Sequence, residues 1–449
     1  MVGTELLTSE QMQQVDKTCA IPIEQLIENA GRAVAEEIVR RYGARKTVVL
    51  CGPGNKGRDG KVAARYLKTW GWPVSISNKL DGVELIIDAL YGTGLKSDFI
   101  QSLADQINNA GVPIISIDVP SGLDGASGAP RGASVKADLT ITFFRKKPGH
   151  LLLPGRNLCG EIIVRDIGLR SSALDILDIQ LWENTTPNLP EPLAGGHKFN
   201  RGHAVIVSGN AMQTGASRLA AMAALKIGAG LVTIAGEATA LAVHANHVTA
   251  VMLVETKTVK DLSNLLSDKR KNAVCIGPAA GVGEATKRAA QVVLESGSNA
   301  VLDADALTSC ANEPEQLFEW IRKITVRAVV LTPHEGEFEK LFGSLSGSKL
   351  ERARKAAKQS GAIIILKGAD TVIAHPNGRA KINANAPPSL ATAGSGDVLA
   401  GLVTGLLAQG MTGFAAACAG VWLHGEAANR ISSNLFTAED LVEKLGHIN

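Results

Sequence analysis

The run Gly394-Ser395-Gly396-Asp397 places a carboxylate behind three small residues, at the start of an apolar stretch that predicts a helix. Free amide N–H groups and the helix dipole make such a turn an anion hole. The aspartate beside it is placed to take a proton from a substrate hydroxyl while that hydroxyl attacks a phosphoryl group. Helix capping is the plainer role for Asp397, but the two glycines and the serine ahead of it favour chemistry. Lys367, with the backbone of Gly368, Ala369 and Asp370, follows a predicted buried strand and suits the phosphates or ribose of a nucleotide; a strand-to-hairpin turn is the alternative. His334, Glu335 and Glu337 follow another strand. Gly277, Gly281 and Gly283 form a further glycine turn, and Asp303 and Asp305 either orient magnesium or cap a helix. His244 and His247 have metal-like spacing but no third ligand, and read as surface or packing residues.

The first half carries a second group. Gly52, Gly54 and Gly57 satisfy GxGxxG within Gly52–Gly60, after a strand and before a helix. Such a turn admits a pyrophosphate to backbone amides. Without the expected acidic residue some twenty positions on, a tight strand-to-helix turn is an equal reading. Asp88 ends one predicted strand, and Asp118, Ser121 and Asp124 follow the next. Ligands of open α/β sheets bind beyond these strand ends, so three polar loops on one edge point to a site rather than to caps.

The elements that must hold these residues alternate. Thr8 and Gln11 form a capping-box pattern, and helices are expected after it and over Ile23–Tyr42. Short apolar runs at Thr47–Cys51, Val83–Leu90, Val112–Pro120, Ala137–Phe144 and Glu161–Gly168 read as strands. A proline-rich stretch from Asn184 to Gly196 marks a domain boundary. Strands resume at Ala204–Gly209, Leu231–Gly236, Ala273–Gly277, Ala300–Ala304, Ala328–Thr332 and Ala362–Gly368, then a hairpin over Thr371–Asn383 and helices over Asp397–Gln409 and Phe414–Arg430. This pattern predicts an α/β protein of two domains, residues 1–185 and 197–449, joined by a linker over 186–196, each with a parallel sheet covered by helices.

Composition bounds the class. The 449 residues are 45% hydrophobic and 20% charged, with a net charge of +3. That suits a globular chain with a large core, and is too mild for a nucleic-acid binder. No run reaches the roughly 18 apolar residues of a membrane span. The N-terminus lacks the charge and apolar run of a secretory signal. Six scattered cysteines without a CxxC pair suggest reduced thiols and a cytoplasmic setting.

Taken in order, TSEQMQQVD, LIENAGRAVA, GPGNKGRDG, DALYGTGL and IDVPSGLDGASG resemble the NAD(P)H-hydrate epimerase domain across Leu6–Leu181. The resemblance implies a Rossmann-like three-layer sandwich. It implies that Asn55, Lys56, Gly57, Arg58, Asp59 and Asp118 meet the hydrated dinucleotide, and that a potassium ion binds Asp88 and Ser121. Asp118 is the candidate for proton transfer, because epimerising one carbon needs a positioned acid or base. The family turn reads GPGNNGGDG; here its second asparagine is Lys56 and a glycine is Arg58. The Lys56 ammonium either stands in for the potassium between Asp88 and Ser121 or marks a decayed site. Arg58 either crowds the site or grips a phosphate.

From Gly196 onward, GAGLVT, IGP, DADAL, LTPHEGEF, LKGADTVIA and ATAGSGDVLAGL resemble the NAD(P)H-hydrate dehydratases, and more broadly a ribokinase-like three-layer sandwich. The resemblance implies that Ala216, Gly281, His334 and Asp397 contact the hydrate, and that Lys367, Gly368, Ala369, Asp370, Thr371 and Gly396 contact ADP or ATP with magnesium. Hydrated NADH and NADPH (NADHX and NADPHX) are then the substrates, in a homo-oligomer without nucleic-acid or membrane partners. IGPAAG departs from the commoner IGPGLG. Two rivals share part of this pattern: a ribokinase-like small-molecule kinase, and a dehydratase whose first domain is a degenerate, non-catalytic module.

Overall fold

The computed structural model describes residues 3–92, 94, 97–191, 194–323, 326–433 and 435–446. Thr93 and Leu95 of the DALYGTGL loop, and Pro192 and Leu193 of the proline-rich stretch, lie outside the described residues. The chain divides into two compact units, Met1–Glu183 and Asn184–Asn449.

In the first unit, strands β1 (Thr47–Cys51), β2 (Val74–Ile76), β3 (Leu85–Ala89), β4 (Ile114–Ile117), β5 (Leu139–Phe143) and β6 (Glu161–Arg165) form one parallel sheet in the order β2-β1-β3-β4-β5-β6. The strands are short apolar runs because both faces are covered. Val49, Ile87, Ile115 and Ile117 pack under α1 (Ser9–Thr18), α2 (Ile23–Arg41) and α3 (Asn55–Thr69). Val48, Leu50 and Ile86 face the opposite layer, with Ala104 and Ile107 of α4 (Gln101–Asn108). A short helix, α5 (Gly155–Cys159), precedes β6. The strand order reverses between β1 and β3, and a crevice at the carboxyl ends of such strands is where ligands bind. Asp88 lies in β3 opposite Ser116 of β4, and Asp118 directly follows β4, so both stand at that edge.

Strand β7 (Leu181–Asn184) spans the division between the units. Asn184 is buried in the second unit, where its amide donates to Asn383 Oδ1 and the Cys418 carbonyl, both at 2.9 Å. The sheet of the second unit comprises β8 (His203–Val207), β9 (Leu231–Gly236), β10 (Met252–Glu255), β11 (Ala273–Ile276), β12 (Asn299–Leu302), β13 (Val329–Leu331), β14 (Ile363–Leu366), β15 (Val372–Ala374) and β16 (Ala380–Asn383). Their order is β10-β9-β8-β11-β12-β13-β14-β15-β16, parallel as far as β14 and antiparallel beyond it. In the β15–β16 hairpin Gly378 alone of the Asn-Gly pair takes a positive φ, 95°.

Helices α6 (Gly215–Lys226), α7 (Ala238–Ala245), α8 (Val259–Leu266), α9 (Glu284–Glu295), α10 (Ala304–Cys310), α11 (Pro314–Arg322), α12 (Glu335–Phe342), α13 (Lys349–Ser360), α14 (Ser395–Ala408), α15 (Gly413–Asn429) and α16 (Ala438–Leu445) complete the unit. The alanine and glycine content serves close packing. A Cβ on Gly401 would stand 2.1 Å from the Ala220 carbonyl oxygen, and one on Gly405 would stand 2.6 Å from Ile227 Cγ2. Helix α14 therefore lies directly on α6, which fixes where its N-terminal Asp397 points. No helix among the described residues is long and apolar enough to cross a membrane.

Candidate active sites

The first site starts from the turn after β1. A Cβ on Gly57 would lie 1.9 Å from the Gly52 carbonyl oxygen, so only glycine lets the chain turn this sharply into α3. The turn swings Lys56 inward. Its ammonium donates to Asp88 Oδ2 (3.2 Å), the Tyr91 carbonyl (2.9 Å), the Val119 carbonyl (2.6 Å) and Ser121 Oγ (3.1 Å). Burial pulls the Lys56 ammonium below the ordinary lysine value, and the Asp88 carboxylate opposes that. Asp88 is itself saturated: Ser116 Oγ and the Ser121 N–H each donate to Oδ2 at 2.8 Å, and the Leu90 N–H donates to Oδ1 at 3.2 Å. A potassium ion on Asp88 and Ser121 does not fit this arrangement, because the lysine ammonium already binds those oxygens and carries the same charge.

Beside this cluster a cavity of about 650 Å³ opens, lined by Asn55, Lys56, Asp59, Asp118, Phe143 and Lys147 among others. Asp118 has φ 65°, a left-handed conformation that is rare for a non-glycine residue and recurs at functional positions. Two neighbours hold it. Lys147 Nζ donates to Asp118 Oδ1, as does Thr142 Oγ1 at 3.0 Å. The His150 ring accepts the Lys147 N–H on Nδ1 (3.0 Å), so Nε2 carries the proton and donates to the Asp118 carbonyl (2.8 Å). Burial drives His150 down to about 4, keeping it neutral. Burial would raise Asp118, but the Lys147 ammonium outweighs it and holds the carboxyl below the usual carboxylate value. Asp59 behaves oppositely: burial, then the Asp118 charge, push it well above that value.

Arg58 and Gly57 stand at the turn itself. Arg58 turns to the surface, pairs with Glu24 of α2 and reaches Asn55 Oδ1 at 3.4 Å; neither it nor Gly57 lines the cavity. Sequence reasoning missed Lys147 and His150. Their signal was the run Lys146-Lys147-Pro148-Gly149-His150, just after a strand that reaches the same sheet edge.

The second site collects at the carboxyl ends of β11–β14 and the start of α14. Gly394, with φ 82°, caps α14 by conformation and has no side chain to bond the first amides, of which the Ser395 N–H donates to the Thr392 carbonyl at 3.3 Å. Lys367 Nζ lies 2.8 Å from Asp303 Oδ1 and 3.8 Å from Glu337 Oε2. Burial would lower Lys367, but those two carboxylates raise it. Asp397 moves from 3.8 to about 6: burial leads, Asp303 adds repulsion, and Lys367 offsets part of it. The Asp305 charge also adds to the repulsion on Asp397, and Asp305 Oδ2 accepts the Gly281 N–H at 2.9 Å. Gly281 with Asp305, and Lys367 with Asp303, are thus two bonded pairs whose charges act on Asp397, with Gly396 close by: a Cβ there would lie 3.5 Å from Lys367 Nζ.

His334 reaches this group through Glu337. Its Nδ1 accepts the Gly336 N–H (3.0 Å), its own N–H donates to Glu337 Oε2 (2.8 Å), and most of the ring stays exposed. It is therefore the N-cap of α12 as well as a site-edge residue. Ala216 sits in the first turn of α6, the helix packed on α14. Thr371 Oγ1 closes the Gly368 turn, donating to the Gly368 carbonyl at 2.7 Å. Lys349, which sequence reasoning missed, clamps Asp370 at 2.7 Å and the Lys367 carbonyl at 3.2 Å. Of the pair His244 and His247, His244 is buried with Nε2 2.9 Å from Ser208 Oγ, and no group of three or more metal-binding side chains occurs among the described residues.

A Rossmann-like unit and a ribokinase-like unit, each with a carboxylate at its strand edge, define a two-unit α/β enzyme. The family model for NAD(P)H-hydrate dehydratase matches residues 204–448. The model described as the YjeF-related protein N-terminus matches residues 23–80 and 74–149. The bifunctional NAD(P)H-hydrate repair enzyme of Moorella thermoacetica is 33% identical over 516 aligned positions, covering 99% of this chain and 96% of that relative. The enzyme of the same name from Escherichia coli is 33% identical, covering 94% and 89%. A ribokinase-like superfamily protein from Enterococcus faecalis shares the fold over 58% of this chain and 90% of its own, with TM-score 0.50 and 23% identity. The chain belongs to the family of bifunctional NAD(P)H-hydrate repair enzymes.

Proposed function

We propose that the second unit dehydrates the S form of hydrated NADH and NADPH at the expense of ADP or ATP with magnesium. Asp397 takes the proton of the substrate hydroxyl as its oxygen attacks the terminal phosphoryl group, which leaves the nucleotide shortened by one phosphate. The hydroxyl oxygen then departs with the phosphate, and loss of a proton from the adjacent ring carbon restores the reduced nicotinamide. Lys367, the turn Gly368–Thr371 and Gly396 hold the nucleotide; magnesium, when bound, neutralises charge on the phosphates. Ala216, Gly281 and His334 hold the hydrate. The observation that carries this reading is a raised carboxyl, Asp397, at an uncapped helix start beside Lys367.

The first unit interconverts the R and S hydrates, with Asp118 moving the proton and Asn55 and Asp59 lining the dinucleotide cavity. This feeds the S form to the second unit. All six cysteines are free, which suits a reducing, cytoplasmic setting. The test is recovery of reduced-nicotinamide absorbance from mixed R and S hydrates, with ADP, with ATP and without nucleotide. Recovery of both isomers supports both activities. Recovery of only the S portion makes the first unit an inactive relative. No recovery with either nucleotide sinks the dehydratase reading in favour of a kinase.

A further inference from the structure

We infer that the Lys56 ammonium is a built-in monovalent cation of the first unit, which therefore needs no potassium; this rests on the epimerase reading of that unit. Lys56 meets four oxygens supplied by three segments: a carboxylate in β3, a carbonyl after β3, and a carbonyl and a hydroxyl after β4. An ammonium has three protons. Four oxygens within 3.2 Å thus exceed what three separate hydrogen bonds use, and surround the nitrogen as they would a spherical ion. The charges balance, since Asp88 is the carboxylate in contact. The cluster is also closed: Asp88 and Ser121 are fully buried and Lys56 nearly so. A mobile cation would meet a like charge at the oxygens it needs.

The arrangement ties together the segments that flank Asp118. Tyr91 is held twice, by its carbonyl to Lys56 and by its N–H to Ser121 Oγ at 2.9 Å. Val119, the residue after Asp118, is held by its carbonyl. A Cβ on Gly92 would lie 3.7 Å from both Asp118 Oδ2 and Lys56 Cδ, so the lysine stem and the Asp118 carboxylate share one wall of the cavity. Lys56 is a positioning residue: it sets the loops around Asp118 and carries internally the charge that a soluble ion would otherwise supply.

The test uses the full chain, with KCl raised from none to about 100 mM while choline chloride holds the ionic strength constant. R-to-S epimerisation and thermal unfolding are both followed, for the wild type and for Lys56→Asn and Lys56→Met. Wild-type rate and unfolding temperature are expected to be indifferent to potassium. In choline, Lys56→Asn is expected to lose about 10- to 100-fold in rate through misplaced loops, and to recover rate and unfolding temperature in KCl; Lys56→Met recovers neither. Potassium stimulation or stabilisation of the wild type overturns the inference, as does a Lys56→Asn variant that is fully active in choline. If both variants fail to fold, the wild-type salt series decides alone. If no form epimerises, the epimerase reading falls, while the unfolding series still tests the cation.

Discussion

Asp397→Asn removes a charge with little change of shape, so stability and activity should move in opposite directions. The folded carboxyl sits at about 6 against an ordinary 3.8, through burial first and the Asp303 charge second. Between those values the folded chain keeps a proton that the unfolded chain has released. Stability therefore falls as pH rises through that window and levels off above it. The full span is worth ~3 kcal/mol at neutral pH. Partial exposure of Asp397 reduces this, as does the ~0.3–1 kcal/mol that a negative charge contributes in a first helical turn. Asparagine should thus stabilise the second unit by ~1–2 kcal/mol, a rise of roughly 2–8 °C in Tm for a domain of this size. Calorimetry near neutral pH reads the gain, which should shrink below about pH 6 as the wild-type carboxyl regains its proton. The same variant should lose about 10²- to 10⁴-fold in S-hydrate dehydration. In the wild type, kcat/KM should fall on the acid side of about 6. An Asp397→Asn protein within tenfold of wild-type activity, or no more stable at neutral pH, would refute the reasoning.

Other substitutions follow from the same contacts. Lys147→Met frees the Asp118 carboxyl from the ammonium that holds it ionised; the acid limb of the epimerisation pH profile should move to higher pH, and an unmoved limb would remove Asp118 as the titrating group. Lys367→Met leaves the buried Asp303 without its partner; it should cost about 3 kcal/mol of stability and weaken nucleotide binding in calorimetric titration, and an unchanged affinity would detach Lys367 from the phosphates. Ala279 holds φ 51° where the commoner family turn has glycine; Ala279→Gly should gain up to about 1 kcal/mol in denaturant unfolding without touching activity, unless the strain there is smaller than the usual left-handed penalty.

What the sequence made legible followed from local rules. Buried strands such as Ile86–Ile87 and Ile363–Leu366 are apolar on both faces because helices cover both sides of the sheet, and that run is visible without tertiary knowledge. Asp88, Asp118 and Lys367 could be placed at sheet edges because each directly ends or follows such a run, and Asp397 at a helix start because it opens an apolar stretch. Strand β10 was not legible: its four residues are half exposed and show no clean alternation. Asn184 looked like the start of a linker, yet its amide is tied into the second unit by partners almost 200 and more than 230 residues away. The pairing of Arg58 with Glu24, on a helix earlier in the chain, was not legible either, because it joins two elements that no local rule connects. The run after β5 marks Lys147 as lying at the sheet edge, but its partner is not visible there, because the contact bridges 29 residues back to Asp118.

The two sites set their carboxyls differently, and the difference matches the chemistry proposed for each. Inverting one carbon needs a proton to be taken and returned within one cavity. The first unit lines its cavity with Asp118, whose carboxyl Lys147 holds below the usual carboxylate value, and Asp59, whose carboxyl burial and the Asp118 charge push well above it. Two carboxyls pushed apart by their surroundings suit the proposed pairing of a proton acceptor with a donor. Phosphorylating a hydroxyl needs one acceptor, strong enough to draw a proton yet ionised at working pH. A carboxyl near 6 meets that condition better than one near 3.8, because proton affinity is gained while most of the group stays ionised at neutral pH. Asp303 and Lys367, a bonded pair, act on Asp397 in opposite senses, so a bound nucleotide that engages Lys367 would change the balance at the base itself.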